Sequence, residues 1–141
     1  MESLRVTGTL DSLSVIGEYI MKAANLAGLS KRKAYRLRLA VDEIATNAIV
    51  HGYMDASEEG DLIIRAAIDD TTLTITLEDS GPPYDARQTP PPSGMEAPLS
   101  ERETGGLGVF LALQGVDQFD YERAGEWNRN IFVVKREESA S

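Results

Sequence analysis

Three polar residues of different chemistry recur at four-residue intervals in the stretch LRLAVDEIATNAIVHGY, residues 37–53. Glu43 carries a carboxylate, Asn47 a carboxamide and His51 an imidazole. Four residues of an α-helix turn it by roughly 400°, so these groups are expected about 40° apart along one helix edge. Polar groups at the edge of a core helix indicate a cavity, a ligand or a metal, although an isolated pattern of this kind is more often a solvated face.

Two glycine-containing motifs follow along the chain. The first, DSGPP at residues 79–83, comes after an alternating run, and Gly81 allows either a turn or a close backbone approach to a flat ligand. The second, GGLG at residues 105–108, opens an apolar helical run, where backbone N–H groups can bind phosphate. This second motif is neither a Walker A loop nor a dinucleotide-binding fingerprint, because the lysine and the strand–turn–helix context are missing.

In this order, E-x3-N-x3-H, D-x-G-x-P and G-x-G-x-x-L resemble the N, G1 and G2 boxes of the GHKL ATPase superfamily. The resemblance extends over residues 4–136, and residues 40–53 and 105–111 look most similar to anti-sigma-factor serine kinases of the RsbW and SpoIIAB type. It implies an α+β fold, the Bergerat ATP-binding fold. In this two-layer sandwich, a few helices, about three by resemblance, cover one face of a mostly antiparallel sheet.

The resemblance also implies roles for individual residues. Asn47 is expected to hold the Mg²⁺ that bridges the phosphates of ATP, and Glu43 to act as general base toward a serine hydroxyl. Asp79 is expected to accept a hydrogen bond from the adenine amino group. The other expected nucleotide contacts are Gly81 and Pro83 at the adenine, Gly106 and Gly108 at the phosphates, and Thr104, Gly105, Leu107, Arg102, Asn130 and His51. For His51, a structural role at the helix end is an equal alternative.

Two positions depart from the family pattern. Sporulation-type members have an arginine directly before the glycines of the third motif, where this chain has Thr104, and Arg102 lies two residues earlier. Their last strand begins with a Gly-Thr pair, where this chain has Asn128-Arg129-Asn130, so Asn130 would replace a hydroxyl with an amide. These departures weaken the expectation of kinase activity more than the expectation of nucleotide binding.

Hydrophobic periodicity predicts the elements that must position these motifs. A first strand at a sheet edge is followed by a helix that is expected to be capped by the side chain of Asp11 or Ser12, to run to about Leu26 and to be stopped by Gly28. Ser30 begins the central helix, although Lys31, Arg32 and Lys33 place positive charge at its positive end, which suggests another role such as partner binding or solubility. The remaining predicted elements are a hairpin of residues 61–69 and 72–78, a proline-rich loop at 80–104, a helix at 105–113, and strands at 116–121 and 131–135. The resemblance implies that the proline-rich loop is the ATP lid.

Composition limits the classes of function. The chain has 141 residues, no cysteine and a net charge of −9, so disulfides, thiolate sites and general binding to nucleic acid or anionic membrane are disfavoured. The sequence predicts a single domain over residues 1–141 with a polar tail at 137–141. With no signal peptide or transmembrane run, a cytoplasmic location is expected. The resemblance makes a homodimer through the first strand plausible, with Val6 and Leu10 as contacts.

The leading functional hypothesis is a serine/threonine kinase that binds a sigma factor and phosphorylates a serine on an anti-sigma-factor antagonist. The alternative is a nucleotide-gated interaction module that binds ATP or ADP without transferring phosphate. A two-component histidine kinase domain is disfavoured, because the only histidine, His51, lies within the expected Mg²⁺ site.

Overall fold

The computed structural model describes residues 1–54, 59–88, 109–110 and 112–137. Its architecture is the predicted α+β sandwich, in which helices pack on one face of a five-stranded sheet. The strands are β1 (Leu4–Thr7), β2 (Asp61–Ile68), β3 (Thr72–Asp79), β4 (Gln118–Ala124) and β5 (Trp127–Lys135). The helices are α1 (Leu13–Leu26) and α2 (Lys31–Asn47), and a π-helical segment, Ala48–Met54, continues α2. Short 3-10 turns occupy Leu10–Ser12 and Ala86–Gln88.

The sheet has the strand order β1-β2-β3-β5-β4, and every neighbouring pair is antiparallel. The β2–β3 hairpin was predicted correctly, and the Asp69 carboxylate closes its turn by accepting hydrogen bonds from the backbone N–H groups of Thr71 and Thr72. β3 is the central strand, so its last residue, Asp79, lies between β2 and β5. The predicted edge position of β1 is confirmed.

Alternation along the strands determines which side chains face the helices. In β3 the buried positions include Leu73, Ile75, Leu77 and Asp79, and in β5 they are Asn128, Asn130, Phe132 and Val134. Apolar residues of α1 and α2 complete this core, with Ile20, Leu37 and Val41 fully buried. The inward face therefore changes from apolar to polar at one end of the sheet, where Asp79 and the two asparagines lie.

Local signals at the helix ends behave largely as predicted. Ser30 caps α2 by accepting a hydrogen bond from the Lys33 backbone N–H at 3.2 Å, and Gly28 ends α1 with a φ of +72°. The predicted side-chain cap of α1 was wrong. The chain enters α1 through the 3-10 turn Leu10–Ser12, and Ser12 makes no capping hydrogen bond.

Two predicted boundaries differ from the structure. The central helix was expected to stay α-helical through Tyr53, but it becomes π-helical at Ala48, where i→i+5 hydrogen bonds widen each turn. The last two strands were expected to flank a turn at residues 122–129. Instead β4 and β5 extend through most of it and meet at a tight turn where Gly125 has a φ of +62°. Glycine allowed this short connection, and cross-strand pairing outweighed the polar local composition.

Candidate functional site

The Asp79 carboxyl group lies at the polar end of the inward sheet face and is 4% exposed. The Asn128 amide donates to its Oδ2 atom at 3.0 Å, and the Gly81 backbone N–H donates to the same oxygen, also at 3.0 Å. Within the described part of the chain, Oδ1 accepts none of the observed hydrogen bonds. Burial raises the pKa of Asp79, although the bonds from Asn128 and Gly81 and the nearby Arg123 charge oppose that shift.

Asn128 organises the loop that follows β3. Besides Asp79, its Nδ2 donates to the Pro82 carbonyl at 2.9 Å and to the Gly81 carbonyl at 3.3 Å. Its Oδ1 accepts from the Tyr84 backbone N–H and from the Tyr121 hydroxyl. A single buried carboxamide thus joins the Asp79 carboxylate to the turn after it.

Sequence reasoning missed Asn128, because the stretch that contains it was interpreted as a turn. Asn128 and Asp79 are partners in the β3–β5 register, so they face each other directly. The signal that could have found it is the alternation of Trp127–Lys135, in which every even-numbered residue from 128 to 134 is buried. Asn130, which was predicted, lies two residues further on the same face and is 4% exposed.

Two glycines allow the helix layer to approach the Asp79 turn. A Cβ added to Gly81 would lie 3.0 Å from Asp79 Oδ2 and 3.3 Å from the Cα of Gly52. Gly52 belongs to the π-helical segment, so this contact joins the end of the long helix to the end of the central strand. A side chain at Gly81 would therefore crowd Asp79 and Gly52, whereas a Cβ at Gly52 would meet its nearest neighbours at 4.0 Å, an ordinary contact.

Tyr53 fixes the same junction from the other side, and sequence reasoning missed it as well. Its hydroxyl donates to the Asp61 carbonyl at 2.8 Å and accepts from the Ser80 backbone N–H at 2.9 Å. Its ring lies between Gly8 and Gly60, where an added Cβ would come within 2.4 Å of ring atoms at either glycine. The buried tyrosine therefore holds the first residue after Asp79.

The predicted general base, Glu43, and the predicted Mg²⁺ ligand, Asn47, both lie on α2. Glu43 and Asn47 are half-buried and one helical turn apart, and Asn47 is the last residue of α2. Burial, and then the negative charge of neighbouring Asp42, raise the pKa of Glu43. A carboxyl group whose pKa is shifted toward neutrality is a better proton acceptor at neutral pH than an unshifted one. The roles assigned to both residues stay predictions.

His51 does not continue the regular spacing of Glu43 and Asn47. It lies in the π-helical segment, where a four-residue step no longer corresponds to the same rotation, and its side chain is exposed. Pro83 is also exposed, in the turn after Asp79. Six predicted contacts lie outside the described residues: Arg102, Thr104, Gly105, Gly106, Leu107 and Gly108. The structure thus brings together the predicted adenine side of the site but does not describe its predicted phosphate loop.

The described residues suit Mg²⁺ bound through few protein ligands. Among them, no cluster of three or more His, Cys, Asp or Glu side chains could hold a metal ion. Mg²⁺ commonly uses one or two protein oxygens together with water and substrate phosphates, and the Asn47 carboxamide provides a hard oxygen of that kind. The chemistry of this donor therefore fits a metal that arrives with a nucleotide.

Comparison with known protein families identifies the family of this chain. The family model described as "Histidine kinase-like ATPase domain" matches residues 6–133. The chain belongs to this family. This confirms the expected membership of the GHKL superfamily. In the described part of the chain, no helix is long and apolar enough to cross a membrane.

Proteins that the chain resembles in sequence include serine-protein kinases named RsbW. The protein from Oceanobacillus iheyensis is 34% identical over 91 residues, which cover 62% of this chain and 57% of the relative. The protein from Staphylococcus epidermidis is 28% identical over 142 residues, covering 96% of this chain and 87% of the relative. The protein from Bacillus subtilis strain 168 is 30% identical over 95 residues, covering 61% and 59%.

Solved structures support the fold assignment. A histidine kinase domain from the blue-light activated histidine kinase of Erythrobacter litoralis matches with a TM-score of 0.52 and 20% identity, covering 88% of this chain and 59% of that one. The Acinetobacter baumannii histidine kinase AdeS matches with a TM-score of 0.54 and 11% identity, covering 98% and 70%. At these identities the likeness concerns the fold.

Proposed function

We propose that this chain is an ATP-dependent serine/threonine protein kinase that acts as an anti-sigma factor. It would bind a sigma factor and phosphorylate a serine on the antagonist of that anti-sigma factor. The observation that carries the nucleotide part of this proposal is the buried Asp79 carboxylate, with Oδ2 hydrogen-bonded to Asn128 and Gly81 and Oδ1 left to accept from a ligand. The similarity to serine-protein kinases named RsbW supports the kinase part.

The described geometry suits adenine at the Asp79 end of the site. Oδ1 can accept a hydrogen bond from the exocyclic amino group of adenine, which guanine replaces with a carbonyl oxygen. An added Cβ at Gly81 would lie 3.0 Å from Asp79 Oδ2, so the glycine keeps that space free of a side chain of its own. A flat base can therefore approach the backbone closely, as the sequence motif suggested.

Glu43 and Asn47 would act on the phosphate side. When bound, Mg²⁺ would neutralise charge on the phosphates of ATP. Glu43 would take the proton from the attacking serine hydroxyl while the serine Oγ forms a bond to the γ-phosphorus. The bond between that phosphorus and the β–γ bridging oxygen breaks, and ADP leaves. Phosphoryl transfer depends mainly on positioning and electrostatics. Glu43 as the base and Asn47 as the metal ligand would therefore be enough protein groups on the phosphate side.

Thermal unfolding with ATP, ADP or GTP, each with Mg²⁺, tests nucleotide binding. A ligand at a hundred times its dissociation constant adds about 2.7 kcal/mol to the free energy of unfolding. We expect ATP and ADP to raise the Tm by several degrees and GTP to have little effect. An unchanged Tm with every nucleotide would contradict the proposal.

Incubation with γ-³²P-ATP and a lysate of the source cells tests transfer. We expect one phosphoserine-containing protein whose label depends on adding this chain to the lysate, and about a hundredfold less of that label when Glu43 is replaced by Gln. Nucleotide binding without any labelled protein would instead support the nucleotide-gated interaction module. Homodimerisation through β1, with Val6 and the exposed Leu10, stays a prediction that sedimentation analysis can check.

A further inference from the structure

An open groove of about 360 Å³ lies along α2, away from Asp79. Arg32, Tyr35, Arg36 and Leu39 line it from α2, and Gln114 and Gly115 line it from the opposite wall. Both arginines lie in the first two turns of the helix, where the sequence had suggested a role for its basic cluster beyond helix stability. The nucleotide hypothesis makes no use of this surface.

The charge of the groove is opposite to that of the whole chain. The chain has 23 acidic and 14 basic residues, yet no carboxylate belongs to the described lining of this groove. Across the described ranges, the ion pairs leave out Arg32 and Arg36. Lys33 differs, because it contacts Glu137 at 3.4 Å and donates to the Lys135 carbonyl at 3.0 Å. Within the predicted basic cluster, Lys33 thus has structural partners, whereas Arg32 lines the groove together with Arg36 from the next helical turn.

This arrangement lowers the stability of the helix that carries it. Two like charges one turn apart repel each other, and positive charge in the first turn opposes the helix dipole. Tyr35 is 65% exposed and Leu39 is 39% exposed, so apolar surface also remains in water. Arginine and tyrosine are the residues that protein interfaces favour. The repelling arginines and the exposed apolar side chains each lower stability, and all of them lie at one groove. Their presence together indicates that this surface binds a partner.

The opposite wall keeps the groove open. A Cβ added to Gly115 would lie 3.2 Å from the Cβ of Arg36, and the Gly115 N–H donates to the Ala112 carbonyl at 3.0 Å. The backbone therefore passes close to α2 at this point, and a larger residue would enter the space between the two walls.

We propose that this groove is a docking site for an acidic segment of a partner protein, with its carboxylates on Arg32 and Arg36 and an apolar side chain on Tyr35 and Leu39. Charge complementarity supports this occupant, because a chain with a net charge of −9 can attract an acidic partner only through a local basic surface. A phosphate ion alone would leave Tyr35 and Leu39 uncovered. A nucleic acid carries a charge on every phosphate along its length, so the negative charge of the rest of the chain would repel it more strongly than a short acidic segment. The inference does not depend on nucleotide binding.

The test uses a short fluorescein-labelled peptide in which Glu alternates with Leu and Phe, and a matched peptide with Lys in place of Glu. Fluorescence anisotropy measures binding, and ¹⁵N NMR spectra locate it. We expect the acidic peptide to shift the amide signals of Tyr35, Leu39 and Gly115, and its affinity to fall as salt is raised. The Arg32→Glu/Arg36→Glu variant should bind it about tenfold more weakly or worse.

A control variant with the same net charge distinguishes the effect of the groove arginines from that of the chain's overall charge. Lys22→Glu/Lys135→Glu changes the net charge from −9 to −13, as the groove variant does, but at two exposed lysines elsewhere. This control should keep wild-type affinity. Tyr35→Ala, which leaves the charge unchanged, should also weaken binding, and far-ultraviolet circular dichroism checks that each variant is folded.

Several results would overturn the proposal. One is a loss of affinity in the Lys22→Glu/Lys135→Glu control as large as that in the groove variant. Another is binding of the lysine peptide as tight as that of the acidic peptide. A third is an absence of NMR shifts at the groove residues. Inorganic phosphate or poly(U) that produced the same shifts as the acidic peptide would assign the groove to another ligand. Failure of ATP to bind would leave this result unaffected, since every measurement is made without nucleotide.

Discussion

Asp79 and Asn128 face each other across the central strand pair, and the Asn128 amide donates to Asp79 Oδ2 at 3.0 Å. The same amide holds the Gly81 and Pro82 carbonyls. This asparagine therefore fixes the orientation of the carboxylate and of the turn beside it, and within the described part of the chain Oδ1 accepts none of the observed hydrogen bonds. The properties of this pair, and of the residues that hold it in place, can be tested by substitution.

Replacing Asp79 by Ala should remove the preference for ATP over GTP. Losing one hydrogen bond to a charged group corresponds to about a 10- to 100-fold loss of ATP affinity, measured by isothermal titration calorimetry. Asp120→Ala, on the opposite face of the sheet, is the control and should bind ATP normally. Persistent selectivity in Asp79→Ala would show that adenine is recognised elsewhere.

The raised pKa of Asp79 predicts how stability depends on pH. Between the unfolded-state value of about 3.9 and the higher folded-state pKa, the native protein binds more protons at this site than the unfolded protein does. The site's contribution to the free energy of unfolding therefore decreases as pH rises through that window and is constant above it. Denaturant titrations of wild type and Asp79→Asn at several pH values should show wild type gaining stability relative to the variant as pH falls. A constant difference, or one of opposite slope, would contradict the raised pKa.

Asn47→Ala should abolish the contribution of Mg²⁺ to ATP binding. The variant loses a neutral oxygen ligand and leaves the adenine side intact, so affinity measured without Mg²⁺ should be unchanged. Calorimetric titrations of ATP with Mg²⁺ and with EDTA make the comparison. Asn25→Ala, at an exposed position of α1, serves as the control. Equal Mg²⁺ dependence in wild type and Asn47→Ala would remove the metal assignment.

Glu43→Gln should preserve ATP binding and reduce phosphate transfer by about a hundredfold or more, the usual effect of losing a general base. The labelled substrate from the lysate experiment provides the assay. Asp42→Asn changes the neighbouring carboxylate, which is also half-buried, and should retain most of the activity. Comparable loss in both variants would indicate a general electrostatic effect rather than a base at Glu43.

Tyr53→Phe should weaken both the fold and nucleotide binding. The variant leaves the Ser80 N–H and the Asp61 carbonyl without their hydroxyl partner, a loss of about 1–3 kcal/mol in the free energy of unfolding. Because Ser80 follows Asp79 directly, ATP affinity measured well below the Tm should also fall. Tyr35→Phe removes the hydroxyl of a tyrosine that is 65% exposed, and should change neither quantity. An ATP affinity equal to wild type in Tyr53→Phe would limit the role of the hydroxyl to stability.

Sequence reasoning succeeded where neighbouring residues determine the structure. Ser30 as a cap, Gly28 as a helix end and the alternation of β2 and β3 are local signals, and the structure contains all three features. The order of the three motifs was enough to identify the superfamily, and the family comparison confirmed it. Individual roles for Glu43, Asn47, Asp79 and the glycine-rich loop remain proposals.

By itself, the sequence determined the fold class, the family and the residue types at the polar end of the sheet. Tertiary structure decided that Asn128 lies opposite Asp79, that Tyr53 fits between Gly8 and Gly60, and that the central helix becomes π-helical before His51. Strand register and close backbone contact join residues that are far apart in the chain. Local propensity does not encode such pairings, since they depend on how whole elements pack together.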